Sequence, residues 1–265
     1  MMNKDILAGK WALVTGASSG LGVDFARILA SRGTNLVLVA RREEKLKSVK
    51  DTLVEAYRVD VRVIPFDLAG NGAAAGLYEE INSRGLDIDV LINNAGFGLY
   101  GPFLDGDLSS EQDMINLNVE ALMSLTKLFL RDMQERGSGY VLQVASNGAY
   151  QPTPGYAVYS ATKSFVLSFG EALNYELKDS PVSVTVVSPG PTTTEFHQVS
   201  GQGRDNLYLR LLTMESGRVA EIGINAMLKG KPSVVPGRLN AALAWISQRV
   251  PRRLAAAAAG WTMGI

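Results

Sequence analysis

The chain has 265 residues, 46% hydrophobic and 20% charged, a composition that suits one large packed α/β domain or two small ones. Its 26 Lys and Arg balance 26 Asp and Glu, so charge gives no case for nucleic acid as a partner or for an anionic membrane as the main one. Cysteine is absent, which excludes disulfides, thiolate metal sites and a cysteine nucleophile and fits a cytoplasmic protein.

The opening Met1-Met2-Asn3-Lys4-Asp5 lacks the apolar stretch of a signal peptide, and no run approaches the ~20 apolar residues of a membrane span. Trp11 to Thr15 predicts a buried first strand, and Gly22 to Ser31 a helix with Phe25, Ile28 and Leu29 inward, closed by Gly33. Asn35 to Ala40 is a second apolar strand, followed by a charged helix over Arg42 to Tyr57. A third strand is expected over Val61 to Phe66, a helix over Gly72 to Arg84 and a fourth strand over Val90 to Asn93. Ser109 to Arg136 is a long helical region, Tyr140 to Ala145 a fifth strand, and Tyr156 to Lys178 another long helix. Val182 to Val187 is a sixth strand and Ser233 to Val235 a weak seventh.

Strands alternating with helices of ten or more residues imply right-handed β-α-β units. The fold expected is therefore α/β, a Rossmann-type doubly wound parallel sheet of about seven strands with helices on both faces, in one domain over residues 1–265. Residues 190–216, with weak periodicity, form a substrate loop or lid over the sheet edge, and 238–265 a C-terminal extension.

Thr15-Gly16-Ala17-Ser18-Ser19-Gly20-Leu21-Gly22 follows the first strand and opens the first helix. Glycines there let the backbone turn tightly and approach a pyrophosphate, which the helix N-terminus stabilises. The spacing differs from the Gly-x-Gly-x-x-Gly dinucleotide fingerprint, and a tight turn without a ligand is the bland alternative. The second strand ends Val39-Ala40-Arg41-Arg42, with no carboxylate before Glu43. An acidic residue there would suit the ribose hydroxyl of NAD, whereas arginines suit the 2′-phosphate of NADP, so NADP(H) is expected. Two solvated arginines at a helix start are the alternative. Asp67-Leu68, with a carboxylate able to meet an adenine edge, and Asn93-Asn94-Ala95-Gly96 close the third and fourth strands, where open parallel sheets bind ligands.

Tyr159 and Lys163 stand four residues apart on a predicted helix and share one face. A nearby ammonium favours the phenolate and lowers a tyrosine pKa, tuning the phenol for proton transfer to or from an alcohol. The spacing is common, and its meaning depends on what surrounds it.

These motifs together resemble the short-chain dehydrogenase/reductase family, in its compact single-domain form, from about Lys10 to Gly237. Gly16 through Gly20-Leu21-Gly22 matches its cofactor turn and Asn93-Asn94-Ala95-Gly96 its structural motif. Asn118 sits at the family's helix asparagine, Ser146 lies 13 residues before Tyr159, and Pro189-Gly190-Pro191-Thr192-Thr193-Thr194 matches its Pro-Gly segment. The resemblance implies that Tyr159 is the general acid, Lys163 lowers its pKa and binds the nicotinamide ribose, Ser146 polarises the carbonyl, and Asn118 anchors a water in the relay. Thr192 and Thr194 would hold the nicotinamide amide. Ala40-Arg41-Arg42 and the Pro-Gly segment look like an NADP-using branch that includes carbonyl reductases.

The implied activity is NADPH-dependent reduction of a ketone or aldehyde to an alcohol, reversibly. A 3-oxoacyl reductase of lipid or polyketide metabolism is the second reading, and a non-catalytic NADP-binding sensor the third. Phe97, Ser146, Phe196 and Leu211 are expected at the substrate pocket, and apolar residues after Gly190 suggest a small-molecule substrate with an apolar portion. No metal is expected, and His197, the only histidine, reads as a polar surface group. Family members usually assemble through their long helices, so a homodimer or homotetramer is implied. Trp245 and Trp261, with Arg249, Arg252 and Arg253 nearby, fit core or subunit packing, or a helix resting on a membrane surface.

Overall fold

The computed structural model describes residues 4–193 and 211–264. One seven-stranded sheet, ordered β3-β2-β1-β4-β5-β6-β7 and parallel throughout, forms its centre. The strands are β1 (Trp11–Thr15), β2 (Asn35–Ala40), β3 (Val61–Pro65), β4 (Ile88–Asn93), β5 (Gly139–Val144), β6 (Val182–Val187) and β7 (Ser233–Val234). The described helices are α1 (Gly20–Ala30), α2 (Glu43–Tyr57), α3 (Ala73–Ser83), α4 (Leu108–Ile115), α5 (Leu122–Arg136), α6 (Ala157–Glu176), α7 (Ser216–Leu228), α8 (Arg238–Ser247) and α9 (Arg252–Met263).

Successive strand residues serve opposite faces, so the central strands carry apolar residues on both. Val14, Leu36, Leu38, Val90 and Ile92 pack with Phe25, Leu29, Leu46, Ile224 and Met227 beneath α1, α2 and α7. Leu13, Val37, Val39 and Leu91 pack with Leu77, Ile81, Leu125, Phe129 and Met133 beneath α3 and α5. Val166 and Leu167 on α6 complete a third cluster with Ala145 and Val186. β3, at the sheet's edge, is less buried, with Arg62 and Pro65 exposed, and Pro65 is tolerated there because its missing N–H leaves no central ladder bond unmade.

The order reverses beside β1, which lies between β2 and β4. The first crossovers run one way and the later ones the other, leaving a crevice at the carboxyl ends of β1 and β4. A polar hinge holds that crevice. Thr15 Oγ1 accepts the N–H groups of Asn94 and Ala95 at 3.0 Å each, and Asn94 Nδ2 donates to the carbonyls of Thr15 (2.9 Å) and Gly16 (3.3 Å).

The helical region expected over Ser109 to Arg136 is one run interrupted by a wide π turn over Asn116–Ala121. The extra residue in that turn rotates the following residues relative to a regular helix, and such turns occur frequently at functional sites. Both ends of the 190–216 excursion return to one place: Thr193 N donates to Met214 O (3.2 Å) and Met214 N to Pro191 O (3.0 Å).

Candidate active site

A cleft of about 440 Å³ runs along the carboxyl edge of the sheet from Arg41 and Arg42 to Tyr159. At its nucleotide end Gly16 (φ 66°) and Gly20 (φ 54°) take left-handed conformations that L side chains rarely adopt. A Cβ on Gly22 would lie 2.2 Å from the Gly16 carbonyl oxygen, so backbone fills the space a side chain needs. The N-cap Ser19 makes no side-chain cap, which leaves first-turn N–H groups of α1 without that partner and suited to an anion. Arg42 reaches over this turn. Its Nη2 donates to Ser18 Oγ (3.1 Å) and Ser19 Oγ (2.9 Å), and its Nε to Ser18 Oγ (3.3 Å). Arg41, Leu21 and Leu68 line the same end, together with Asp67, whose Oδ1 accepts the Ala69 N–H at 3.1 Å and so shapes the turn after β3.

At the other end Ser146, Tyr159 and Lys163 face the cleft with Asn94, Ala95, Gly96, Phe97, Pro189, Gly190 and Thr192. β5 delivers Ser146 and α6 delivers Tyr159 and Lys163; Asn147 N donates to Pro189 O (2.7 Å) and Ser164 Oγ to Ala149 O (2.7 Å), locking these loops together. Ser146 Oγ accepts the Gly148 N–H at 3.1 Å and also bonds the Tyr159 side chain. Lys163, almost wholly buried, donates from Nζ to the Val144 carbonyl at 2.8 Å. Asn118 is fully buried behind the cleft wall. Its Oδ1 accepts the Phe97 N–H (3.1 Å), and its Nδ2 donates to Phe97 O (2.9 Å) and Thr162 Oγ1 (3.1 Å). A Cβ on Gly96 would sit 2.8 Å from Asn118 Oδ1 and 3.3 Å from Lys163 Nζ, so this glycine lets the chain pass close to both.

The electrostatics correct one expectation. Burial pushes the Tyr159 phenol up to about 12, the bond to Ser146 offsetting part of the rise and Tyr156 adding to it. The side chain is only partly buried by solvent accessibility, since it opens into the cleft, but desolvation by the cleft wall still outweighs the hydrogen bond. Burial also pulls Lys163 down to about 8. The helical spacing brings the ammonium near, 5.9 Å from the ring centroid, yet it is directed to a backbone carbonyl. It also loses its proton well before the phenol would ionise, so at that pH no cation remains to assist.

One further expectation changes. Leu211 is not brought to the cleft: it is 66% exposed, while Leu212 is buried. Asn240 Nδ2 donates to the Leu212 carbonyl at 3.1 Å, which anchors the backbone there. Thr194, Phe196 and His197 lie outside the described residues.

Residues 10–205 match the family described as short chain dehydrogenase. The chain belongs to the short-chain dehydrogenase family. Members of this family are oxidoreductases that bind a nicotinamide cofactor, and the glycine cradle and α1 N-terminus fit such a dinucleotide. A very-long-chain 3-oxoacyl-CoA reductase of Anas platyrhynchos is 37% identical over 198 residues, which cover 72% of this chain and 62% of that protein. The 17-beta-hydroxysteroid dehydrogenase type 3 of Rattus norvegicus is 32% identical over 217 residues, covering 81% of this chain and 70% of that one. This short-chain dehydrogenase thus spans less than two thirds of the first relative. A structure solved in work on 7beta-hydroxysteroid dehydrogenase stereoselectivity superposes with TM-score 0.87 at 25% identity, covering 98% of this chain and 100% of that one. A short-chain dehydrogenase from Sphingobium yanoikuyae in complex with NADPH superposes with TM-score 0.79 at 28% identity, covering 92% and 97%.

Several contributors escaped the sequence reading. Thr15 was visible as the strand's last residue and the first of the glycine turn, but not as a hydroxyl that serves two N–H groups. Tyr156 shares the helical face of Tyr159, their ring centroids 5.7 Å apart, and lines the cleft. Met263, near the chain's end, also lines it, and its carbonyl accepts the Tyr100 hydroxyl at 2.5 Å. Nothing in the local sequence marks a residue that a C-terminal helix carries back across the sheet.

Proposed function

We propose that the protein is an NADPH-dependent reductase that converts a ketone or aldehyde to an alcohol, reversibly. The observation that carries this reading is the convergence of Ser146, Tyr159 and Lys163 in one cleft with the glycine cradle at its other end. Gly16, Ser18, Ser19, Gly20, Leu21 and Gly22 hold the pyrophosphate, and Arg41 with Arg42 the 2′-phosphate. Asp67 and Leu68 receive the adenine, while Asn94, Ala95, Gly96, Pro189, Gly190 and Thr192 receive the nicotinamide half. Arg42 already spans Ser18 and Ser19, which supports a cationic rim at the phosphate end.

The bound nicotinamide supplies the hydride. Ser146 Oγ and the Tyr159 hydroxyl grip the carbonyl oxygen, and Tyr159 passes its proton to that oxygen as negative charge develops. A phenol held neutral across the physiological range suits this donation. Lys163 keeps a positive charge beside the site below about pH 8, and the phenolate left on Tyr159 takes back a proton from solvent to complete the cycle. Phe97, Leu117, Tyr156 and Met263 wall the reactive end and favour a substrate with an apolar portion.

A second reading, reduction of a 3-oxoacyl thioester, is favoured by the named activity of the relatives that are 34–37% identical. A homodimer or homotetramer is part of the proposal, supported by the apolar groove between α4 and α6 that Phe103, Ile115, Val119 and Val158 line. NADPH oxidation against a panel of simple ketones, ketosteroids and 3-oxoacyl thioesters, with NADH in parallel, tests the reading. Tyr159→Phe should keep NADPH binding and lose turnover by ~10²–10⁴-fold. Tight NADPH binding without turnover of any carbonyl would favour the sensor reading instead.

A further inference from the structure

The Asp and Glu residues of this chain all lie before residue 222, yet Lys229, Lys231, Arg238, Arg249, Arg252 and Arg253 follow it. The charged side chains after residue 221 are therefore all cationic in a chain of zero formal net charge. No carboxylate among the described residues pairs with these six. Among the described residues no helix is long and apolar enough to cross a membrane.

The outer faces of α8 and α9 are apolar. Leu239, Ala242, Trp245 and Ile246 recur at helical spacing along the exposed side of α8, and Leu254, Ala257, Ala258 and Trp261 along that of α9. Trp245 is 56% and Trp261 83% exposed, large areas for water to cover. The inner faces are occupied: Asn240 and Ala244 on α8 and Ala255 and Ala259 on α9 are buried. Arg249 stacks on Trp245, its guanidinium 3.7 Å from the ring centroid, placing a cation on a flat apolar surface. Arg252 and Arg253 open α9, where the helix dipole disfavours cations, so their placement carries a local cost that an external anion would remove.

We propose that α8 and α9 form a docking surface for an anionic phospholipid bilayer, with both tryptophans entering the headgroup boundary and the arginines meeting the lipid charges. Tryptophans on an exposed helical face, with arginines at the helix ends, suit helices that lie in the membrane plane. A second copy of the chain fits less well. An isologous two-fold contact would set the same cations against each other with no acidic residue to relieve them. Met263 carries α9 to the cleft, so docking here sets the cleft mouth near the lipid surface.

Flotation of the full chain with vesicles of phosphatidylcholine, with and without phosphatidylserine, tests the surface independently of any reductase activity. Binding is expected to the serine-lipid vesicles, to weaken steeply with added salt, and to shift tryptophan emission to the blue, since two of the three tryptophans lie on this face. Each cation near an anionic surface contributes about five-fold in affinity, so Arg249→Gln/Arg252→Gln/Arg253→Gln should bind on the order of 100-fold more weakly. Trp245→Ala/Trp261→Ala should abolish the blue shift and weaken binding at high salt. No binding by the wild-type chain, or equal binding to both vesicle types, overturns the proposal. So does a wild-type dimer that ignores vesicles and dissociates on the tryptophan substitutions, which assigns the face to a second copy.

Discussion

Replacing Lys163 by Met should make the folded protein more stable at neutral pH while removing the cation beside Tyr159. Burial lowers the Lys163 pKa from 10.5 to about 8, which corresponds to about 3 kcal/mol of folding free energy spent in keeping the ammonium charged. Met is unbranched and of similar length, so the channel stays filled. The Val144 carbonyl loses the donor it holds at 2.8 Å, and an unsatisfied buried acceptor costs ~1–2 kcal/mol. The net gain is about 1–2 kcal/mol, or roughly 2–8 °C in Tm for a domain of this size. The sign depends on pH. The folded lysine binds its proton less tightly than the unfolded one, so the wild-type penalty is complete below about 8 and fades as pH rises toward 10.5. Tyr159, held up to about 12, contributes stability that is lost only above 10, outside the window. Calorimetric melts of both proteins from pH 6 to about 10 should show the Met variant ahead at the acid end and the gap closing above about 8. A variant less stable at pH 7, or a gap that does not change with pH, would refute the assignment of a desolvated ammonium to Lys163.

Other substitutions probe the remaining parts. Gly22→Ala places a Cβ 2.2 Å from the Gly16 carbonyl, and overpacking against backbone costs ~1–3 kcal/mol or more. Melting temperature and NADPH affinity by fluorescence titration should both fall, and unchanged affinity would mean that the turn holds no pyrophosphate. Arg41→Ala and Arg42→Ala should raise the KM for NADPH about 10–100-fold, the worth of a charge-assisted bond, and leave that for NADH nearly unchanged; equal effects on both cofactors would count against a 2′-phosphate site. Asn118→Ala strips the partners of Phe97 N and O in a buried wall, with an expected loss of ~1–3 kcal/mol by denaturant unfolding and a fall in kcat. A full-activity Asn118→Ala enzyme would remove this residue from the site.

The strand limits were legible because the physical signal is local. Trp11–Thr15, Asn35–Ala40 and Val182–Val187 coincide with apolar runs bounded by glycine or polar residues. The glycine turn was legible for a similar reason: Gly22 is required by a contact with Gly16, six residues away. What stayed hidden is set by distant partners. The backbone at Leu212 is held by Asn240, and the hinge of the crevice by Thr15 meeting Asn94 from another strand. The π turn at Asn116–Ala121 has no residue signature, since its backbone angles are satisfied by ordinary helix formers.

The Tyr159 and Lys163 pair shows where local reasoning stops. Spacing on a helix fixes which residues are neighbours, and it placed both side chains at the cleft. It does not fix which protonation state burial favours. Desolvation acts on both groups in the same sense, favouring the neutral form of each, so it moves the phenol up to about 12 and the ammonium down to about 8. At neutral pH the chain alone therefore holds a protonated phenol beside a lysine that is still largely charged. That is the state an acid needs for protonating a developing alkoxide, whereas taking a proton from an alcohol requires the phenolate that burial opposes. The protein's own electrostatics thus favour the neutral phenol, a bias that neither residue reveals when read as a motif.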